Sequence, residues 1–302
     1  MNWNDLRYFV ELARQKRMLH VGRKLGVDHT TVARRIEQLE KDLGCKLFES
    51  APDGYRLTDA GARMANHAEL VESTVERLCE EVGGESVTVS GTVRVGVPEG
   101  LGTHFLAQRL GRLFEANPDL QIEMLSLPRF PSLATREADI IVSLSQPENS
   151  RCVAARLTDF SYGLFATPEY LAKHGPITER DQLRAHPLIG YVPDYLPSPL
   201  LDYMDDLQPE GGGLRFSSTG MLAQLEACKA GYGVAVLAHY LVVNSGLVEI
   251  LPGEMHWERS FWIMALSDSF KLRRVREVWD YMREVVEAEP QYFRLGSTAE
   301  NS

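Results

Sequence analysis

The 302-residue sequence predicts an N-terminal all-α winged helix-turn-helix with a long linker helix, followed by a C-terminal α/β domain. Three observations carry this expectation. Apolar residues recur at helical spacing in three segments of the first fifty residues. A longer segment then repeats apolar residues in steps of four and three, and from residue 92 strand-like and helix-like segments alternate.

Leu6, Phe9, Val10 and Ala13 share one face of the first helix. A short helix over about 18–25, with Leu19 and Leu25 apolar, stops at Gly26, the residue type that a helix end prefers. Asp28 can cap a third helix, whose expected buried stripe is Val32, Ile36, Leu39 and Leu43, and Gly44 closes it. The tight Gly26-Val27-Asp28 connection is a helix-turn-helix arrangement. Lys46-Leu47-Phe48 and Tyr55-Arg56-Leu57 flank Pro52-Asp53-Gly54 and read as a hairpin, the wing. Thr58 can cap a helix reaching about Val82, with Met64, Ala68, Val71, Val75, Leu78 and Val82 as a heptad seam. That seam implies pairing with another helix, unless it packs on its own domain. Gly83-Gly84 ends the helix, and 85–91 reads as a hinge.

Beyond the hinge, strands are expected at Thr92–Val97, Leu120–Leu125 and Asp139–Leu144, and near 161–167, 188–192, 234–237 and 259–266. Helices are expected over 103–116 and near 168–173, 220–230 and 270–288. Such alternation predicts a largely parallel sheet, in which ligands bind beyond the carboxyl ends of the strands.

Composition bounds the function. Hydrophobic residues at 44% and charged residues at 25% suit a soluble globular chain, long enough for two or three domains. No signal peptide or membrane-length apolar run is apparent, and the reading is cytoplasmic, without a membrane partner. Cys45, Cys79, Cys152 and Cys228 are scattered, which suggests neither zinc nor a disulfide framework. The net charge of -10 conceals a split, because residues 1–60 hold eleven Lys/Arg against nine Asp/Glu. Arg14, Lys16, Arg17, Arg23, Lys24, Arg34 and Arg35 share their stretch with Asp28 alone, a basic patch suited to phosphate. A solvated helix face is the plainer alternative.

In a helix-turn-helix the second helix enters the major groove, and its first turns meet base edges. Those turns hold His29, Thr30, Thr31, Arg34 and Arg35; Arg56 sits where a wing crosses the minor groove or backbone.

At this point the sequence resembles the LysR-type regulators. The runs are Leu6-Arg7-Tyr8-Phe9, Leu25-Gly26-Val27, Arg34-Arg35-Ile36-Glu37-Gln38-Leu39-Glu40, Leu43-Gly44-Cys45-Lys46-Leu47-Phe48 and Leu57-Thr58-Asp59-Ala60-Gly61. Val93-Arg94-Val95-Gly96, Phe114-Glu115-Ala116-Asn117-Pro118, Ala138-Asp139-Ile140, Ala166-Thr167-Pro168-Glu169-Tyr170-Leu171 and Ala230-Gly231-Tyr232-Gly233-Val234-Ala235 extend the likeness over most of the chain. The resemblance implies a transcriptional regulator whose C-terminal domain is two-lobed and periplasmic-binding-protein-like, with a small-molecule effector in its cleft. Its division would be 1–58 for DNA binding, 59–84 for the linker and dimerisation helix, 85–91 for the hinge and 92–302 for the effector. Lobe one would cover about 92–160 and 267–290, and lobe two about 161–266. The implied partners are double-stranded operator DNA, a small-molecule effector, further copies of the chain as homodimer or homotetramer, and RNA polymerase. No cofactor, metal or catalytic residue is expected.

Departures from the family pattern fall beside the DNA-reading positions. Arg17-Met18-Leu19 and Val21-Gly22 replace a Ser-Phe-Thr and paired alanines. Asp28 replaces a serine cap, and Ser50 stands where an arginine follows the Leu-Phe pair. By resemblance, the effector pocket involves Glu99, Gly100, Leu101 and Thr103 after the first strand, Arg129, Ser143 and Ser145, and Thr219. Many members carry a hydroxyl at the position of Gly100. Here Glu99 stands beside a glycine. It either turns into water or faces the cleft, and in the second case it disfavours an acidic ligand.

Other functions leave little trace. There is no Gly-x-Ser-x-Gly elbow, phosphate-cradling loop or His-Glu-x-x-His motif. Asp202, Asp205 and Asp206 read as a solvated loop rather than a cation site, and nothing near Cys152 or Cys228 favours a thiolate. The rival functions are a solute-binding module on a helical tether with no DNA role, and an α/β transferase, for which no reactive set is found.

Overall fold

The computed structural model describes residues 2–52, 54–83, 89–126, 138–146, 152–203, 207 and 214–293. The chain divides into two compact units, Met1–Val87 and Thr88–Ser302.

In the N-terminal unit, α1 (Trp3–Gln15), α2 (Met18–Leu25) and α3 (His29–Leu43) precede a hairpin of β1 (Phe48–Ala51) and β2 (Gly54–Leu57), and α4 (Asp59–Gly83) follows. The helix stops are local: Gly26 and Gly44 adopt φ +67 and +70, which costs a glycine nothing. Asp28 accepts the Thr30 N–H at 2.8 Å and so satisfies a donor that the first turn of α3 leaves unpaired. Phe9, Leu12, Val21, Val32, Leu39 and Leu47 are fully or almost fully buried in this unit's core.

Three expectations change here. Leu43 is 42% exposed and leaves the stripe, because Glu40 takes the buried place one turn earlier. The first hairpin strand starts at Phe48 rather than Lys46, since Phe48 pairs with Leu57 and Ala51 with Gly54. The α4 seam splits. Met64 and Ala68 pack into their own unit's core, whereas Val75 and Leu78 are 53% and 57% exposed.

Glu40 explains how the wing is held. Its Oε1 accepts the Leu47 and Phe48 N–H groups at 2.8 and 3.2 Å, and its Oε2 accepts the Lys46 ammonium at 2.7 Å. Burial pushes the Glu40 carboxyl up, but Lys46 and the two N–H groups outweigh it and hold it below the usual range. The far end of the wing is pinned by backbone: the Tyr55 N–H donates to the Lys16 carbonyl at 2.7 Å. Gly54 is required there, because a Cβ would lie 2.2 Å from that carbonyl oxygen.

The C-terminal unit is built on one sheet. Its strands are β3 (Gly91–Gly96), β4 (Leu120–Leu125), β5 (Ile140–Ser143), β6 (Cys152–Ala166), β7 (Leu188–Tyr191), β8 (Leu214–Ser218), β9 (Val234–Ala238), β10 (Val248–Ile250) and β11 (His256–Leu266). Their order is β4-β3-β5-β11-β6-β9-β7-β8, with β10 also on β6. The helices are α5 (Glu99–Leu101), α6 (Gly111–Ala116), α7 (Pro168–His174), α8 (Met221–Lys229), α9 (His239–Val242) and α10 (Arg273–Glu287). The 103–116 helix starts earlier than expected and is irregular, with a π turn at Gly102–Leu106 and a 3-10 turn at Ala107–Arg109.

The sheet is mixed rather than largely parallel. Each lobe keeps a parallel set, β4-β3-β5 in one and β8-β7-β9 in the other. The long antiparallel strands β6 and β11 run between them. Trp262–Ala265 already pair with β5 of the first lobe, so the chain returns to that lobe before residue 267. Val89 is buried in the core of this unit and Gly91 opens β3, so the end of the expected hinge is packed structure; 84–88 lie outside the described residues.

Candidate functional site

The N-terminal surface follows from the phase of α3. Val32 and Ile36 point into the core, which leaves His29, Thr30 and Arg34 exposed and Thr31 half-buried. Thr30 Oγ1 donates to Asp28 at 2.6 Å, so this hydroxyl is held at the helix start. Arg34 projects from the first turns, where an Arg can fork onto a guanine edge. Arg35 departs from the expectation. Its guanidinium donates to Asp5 at 3.2 Å, inside a carboxylate that is only 1% exposed, and lies 5.9 Å from the Tyr8 ring. It therefore fastens α3 to α1, because a buried Asp5 without a cation would be costly.

The basic patch is thinned in the same way. Arg14 pairs with Glu72 at 2.6 Å and Lys24 with Glu11 at 3.0 Å, while Lys16, Arg17 and Arg23 stay exposed. Arg56 is exposed on β2, in register with Glu49. Gly22 explains one departure from the family pattern. A Cβ there would lie 2.7 Å from the Val27 carbonyl, so alanine does not fit the turn as it is built here.

The C-terminal unit holds a cavity of about 130 Å³. Pro98, Glu99 and Gly100 form one wall, and Thr219, Gly220 and Met221 another. Ser126 and Leu144 contribute from the β4 and β5 ends. Rings complete it: Tyr162, Tyr191, Tyr240 and Phe261. Phe261 stacks on Phe160 with centroids 4.0 Å apart, and the register of β6 and β11 shifts between Phe261 and Trp262.

Glu99 faces this cavity. Its Oε2 accepts the Leu222 N–H at 3.4 Å, at the first turn of α8. Gly220, the cap of that helix, leaves the space, because a Cβ would lie 2.5 Å from Oε2. At Gly100 a Cβ would meet Leu241 at 3.0 Å and the Tyr240 hydroxyl at 3.1 Å. A tyrosine from α9 therefore brings its hydroxyl to the place a side chain at Gly100 would take.

The expected pocket residues divide. Glu99, Gly100 and Thr219 line the cavity. Leu101 does not: it is fully buried in the core beneath. Thr103 points to solvent because the helical phase turns it away. Ser143 is occupied locally, donating to the Ser145 carbonyl at 2.8 Å and accepting its N–H at 3.0 Å, and neither residue lines the cavity. Arg129, Asp205 and Asp206 lie outside the described residues. Sequence reasoning missed Ser126, Tyr162, Tyr191, Tyr240 and Phe261, although Tyr191 ends a parallel strand, where ligands are expected.

Burial pushes the Cys152 thiol up, and the Cys228 thiol up to about 12, so neither favours the thiolate that oxidant chemistry uses. Among the described residues no group of His, Cys, Asp and Glu could hold a metal ion, and no helix is long and apolar enough to cross a membrane.

A surface helix of the helix-turn-helix class and a two-lobed α/β domain with an internal cavity define a DNA-binding, ligand-responsive protein. Comparison with known proteins identifies the family. The model of the LysR substrate binding domain matches residues 87–287, and that of the bacterial regulatory helix-turn-helix protein, lysR family, matches 3–62. The chain belongs to the LysR family. It is a DNA-binding transcriptional regulator with a small-molecule effector domain, and not an enzyme. It is similar to the probable regulator LtrA of Klebsiella pneumoniae, 24% identical over 308 residues, covering 95% of this chain and 97% of LtrA. Its fold is similar to that of the LysR-type regulator CrgA of Neisseria meningitidis (TM-score 0.59, 22% identity, 94% and 98% coverage). A full-length OxyR variant from Pseudomonas aeruginosa shares it with a TM-score of 0.71, 18% identity, and 100% and 99% coverage.

Proposed function

We propose that α3 reads operator DNA through His29, Thr30, Thr31 and Arg34, with Arg56 on the wing meeting backbone or minor groove. The observation that carries this is the outward row on α3, whose start is fixed by Asp28 while its inward row is buried. Arg35 belongs to the scaffold in this reading. A promoter fragment from upstream of the chain's own gene tests it. Arg34→Ala should weaken specific retention in gel shifts by about 1–3 kcal/mol and relax selectivity at one base position. Retention equal to wild type would overturn the assignment.

We infer further that the effector enters the cavity beside Glu99, Gly100 and Thr219, and that the chain works as a homodimer or homotetramer in the cytoplasm, with RNA polymerase as a downstream partner. The exposed Val75 and Leu78, one seam step apart on α4, support pairing through that helix. Replacing both with Glu should remove this contact, read as a smaller species in size-exclusion chromatography. An unchanged oligomer would contradict pairing at these positions.

A further inference from the structure

We propose that the cavity selects a small cationic ligand, an ammonium group carried on a compact apolar body, and excludes carboxylates. This rests on the reading of the cavity as the effector site.

Three observations converge. Glu99 is the single charged residue among the described residues that line the cavity, and its carboxylate lies on the cavity side of the first turn of α8. One donor that could hold an incoming carboxylate, the Leu222 N–H, is thus already met by the protein's own carboxylate, as the space left by Gly220 allows. An anionic ligand would meet Glu99 in a partly desolvated site, where like charges repel more strongly than in water. A cation would meet the same carboxylate as a partner, since the bond to α8 is made by Oε2 and not by Oε1.

The walls fit the same chemistry. Tyr162, Tyr191, Tyr240 and Phe261 surround the space with ring faces and edges, and Tyr162 and Tyr240 are each only 3% exposed. Aromatic faces attract ammonium groups, most strongly where water is excluded. The phenols themselves carry no charge to compete, since burial pushes the Tyr240 hydroxyl well up, and burial with Tyr203 and Glu99 does the same for Tyr191. The Tyr240 and Tyr191 hydroxyls, Ser126 and Thr219 remain as neutral hydrogen-bonding groups. Size limits the body of the ligand. About 130 Å³ is close to the cavity of roughly 150 Å³ that holds benzene in an engineered protein core.

The test uses the full chain and three probes of one shape at constant ionic strength: benzylammonium, benzyl alcohol and benzoate. Titration calorimetry and thermal shift read binding. In the wild type, benzylammonium should bind at least about tenfold more tightly than benzyl alcohol, and benzoate should not bind. Glu99→Gln should lose about tenfold or more for benzylammonium and should admit benzoate, because the charge that attracts one and repels the other is gone. The wild-type series decides the matter even if the variant folds poorly. Benzoate binding the wild type as well as benzylammonium would overturn the charge preference while leaving the cavity as a ligand site. Cation affinity unchanged in Glu99→Gln would remove Glu99 from recognition. Binding of none of the three would overturn the cavity itself as a site for such ligands. None of these outcomes touches the DNA reading, which the Arg34→Ala gel shift tests separately.

Discussion

The three buried carboxylates of the N-terminal unit and the half-buried Glu99 of the C-terminal unit are met by different partners. In the N-terminal unit, Asp5, Glu11 and Glu40 are buried, and each is answered by a cation from the same unit: Arg35, Lys24 and Lys46. In the C-terminal unit, the Glu99 carboxylate faces the cavity and finds an N–H of α8 rather than a cation. A charge matched inside the scaffold fixes structure, and a charge left facing a cavity is available for recognition. The difference also separates which basic residues are free to meet DNA from those that are not. Arg35 and Lys24 are spent on the scaffold, whereas Arg34, Arg17 and Arg23 remain at the surface.

The largest effect is expected from the cores. Phe9→Ala removes a fully buried ring packed 5.3 Å from Phe48, at a cost of about 3–5 kcal/mol. Hydrogen exchange resolved by segment should show protection lost across α1–α3 and kept in β3–β11, with DNA binding lost. Loss of protection in both units would mean that they share one cooperative core.

A smaller effect should come from Glu40. Glu40→Ala leaves the Leu47 and Phe48 N–H groups and the Lys46 ammonium without their acceptor, about 1.5–3 kcal/mol. Acid should reproduce part of this in the wild type. The folded Glu40 carboxyl lies below its ordinary value of 4.5, so its contribution is present above that pH and is lost as pH falls through the lower folded value. Amide exchange at Leu47 and Phe48 should quicken below about pH 4.5 in wild type and show no such step in Glu40→Ala. An identical acid profile in both proteins would show that the wing is held by other contacts.

Legibility follows the same division. Asp28, Gly26, Gly44, Thr58 and the α1–α3 stripes act on neighbours in sequence, so local pattern sufficed, and β4 falls on the expected residues. Leu43 misled because helical periodicity alone does not show that Glu40 will take the buried place to hold a strand. In β6 only the second half reads as a strand, since its first half is partly exposed, and short β8 and β10 were overlooked. The cavity was least legible. Glu99, Ser126, Tyr162, Tyr191, Thr219, Tyr240 and Phe261 come from separate segments, and no local spacing brings them together. The family resemblance located Glu99, Gly100 and Thr219, but extended the same stretch to Leu101 and Thr103, where helical phase turns one inward and the other outward.

The smallest effect expected is at Thr103. Thr103→Ala should change stability by no more than about 0.5 kcal/mol and leave benzylammonium affinity unchanged by calorimetry, because the side chain is exposed away from the cavity. A clear loss of affinity would return Thr103 to the site.

If the N-terminal unit of this acidic chain binds DNA through a local positive surface, the affinity must fall with salt. Fluorescence anisotropy of a labelled fragment from upstream of its gene, titrated at several salt concentrations, measures this directly. The account predicts retention of the fragment, with log K falling linearly against log salt at a slope of about -0.9 per phosphate neutralised. Absence of retention at low salt, or an affinity indifferent to salt, would contradict it.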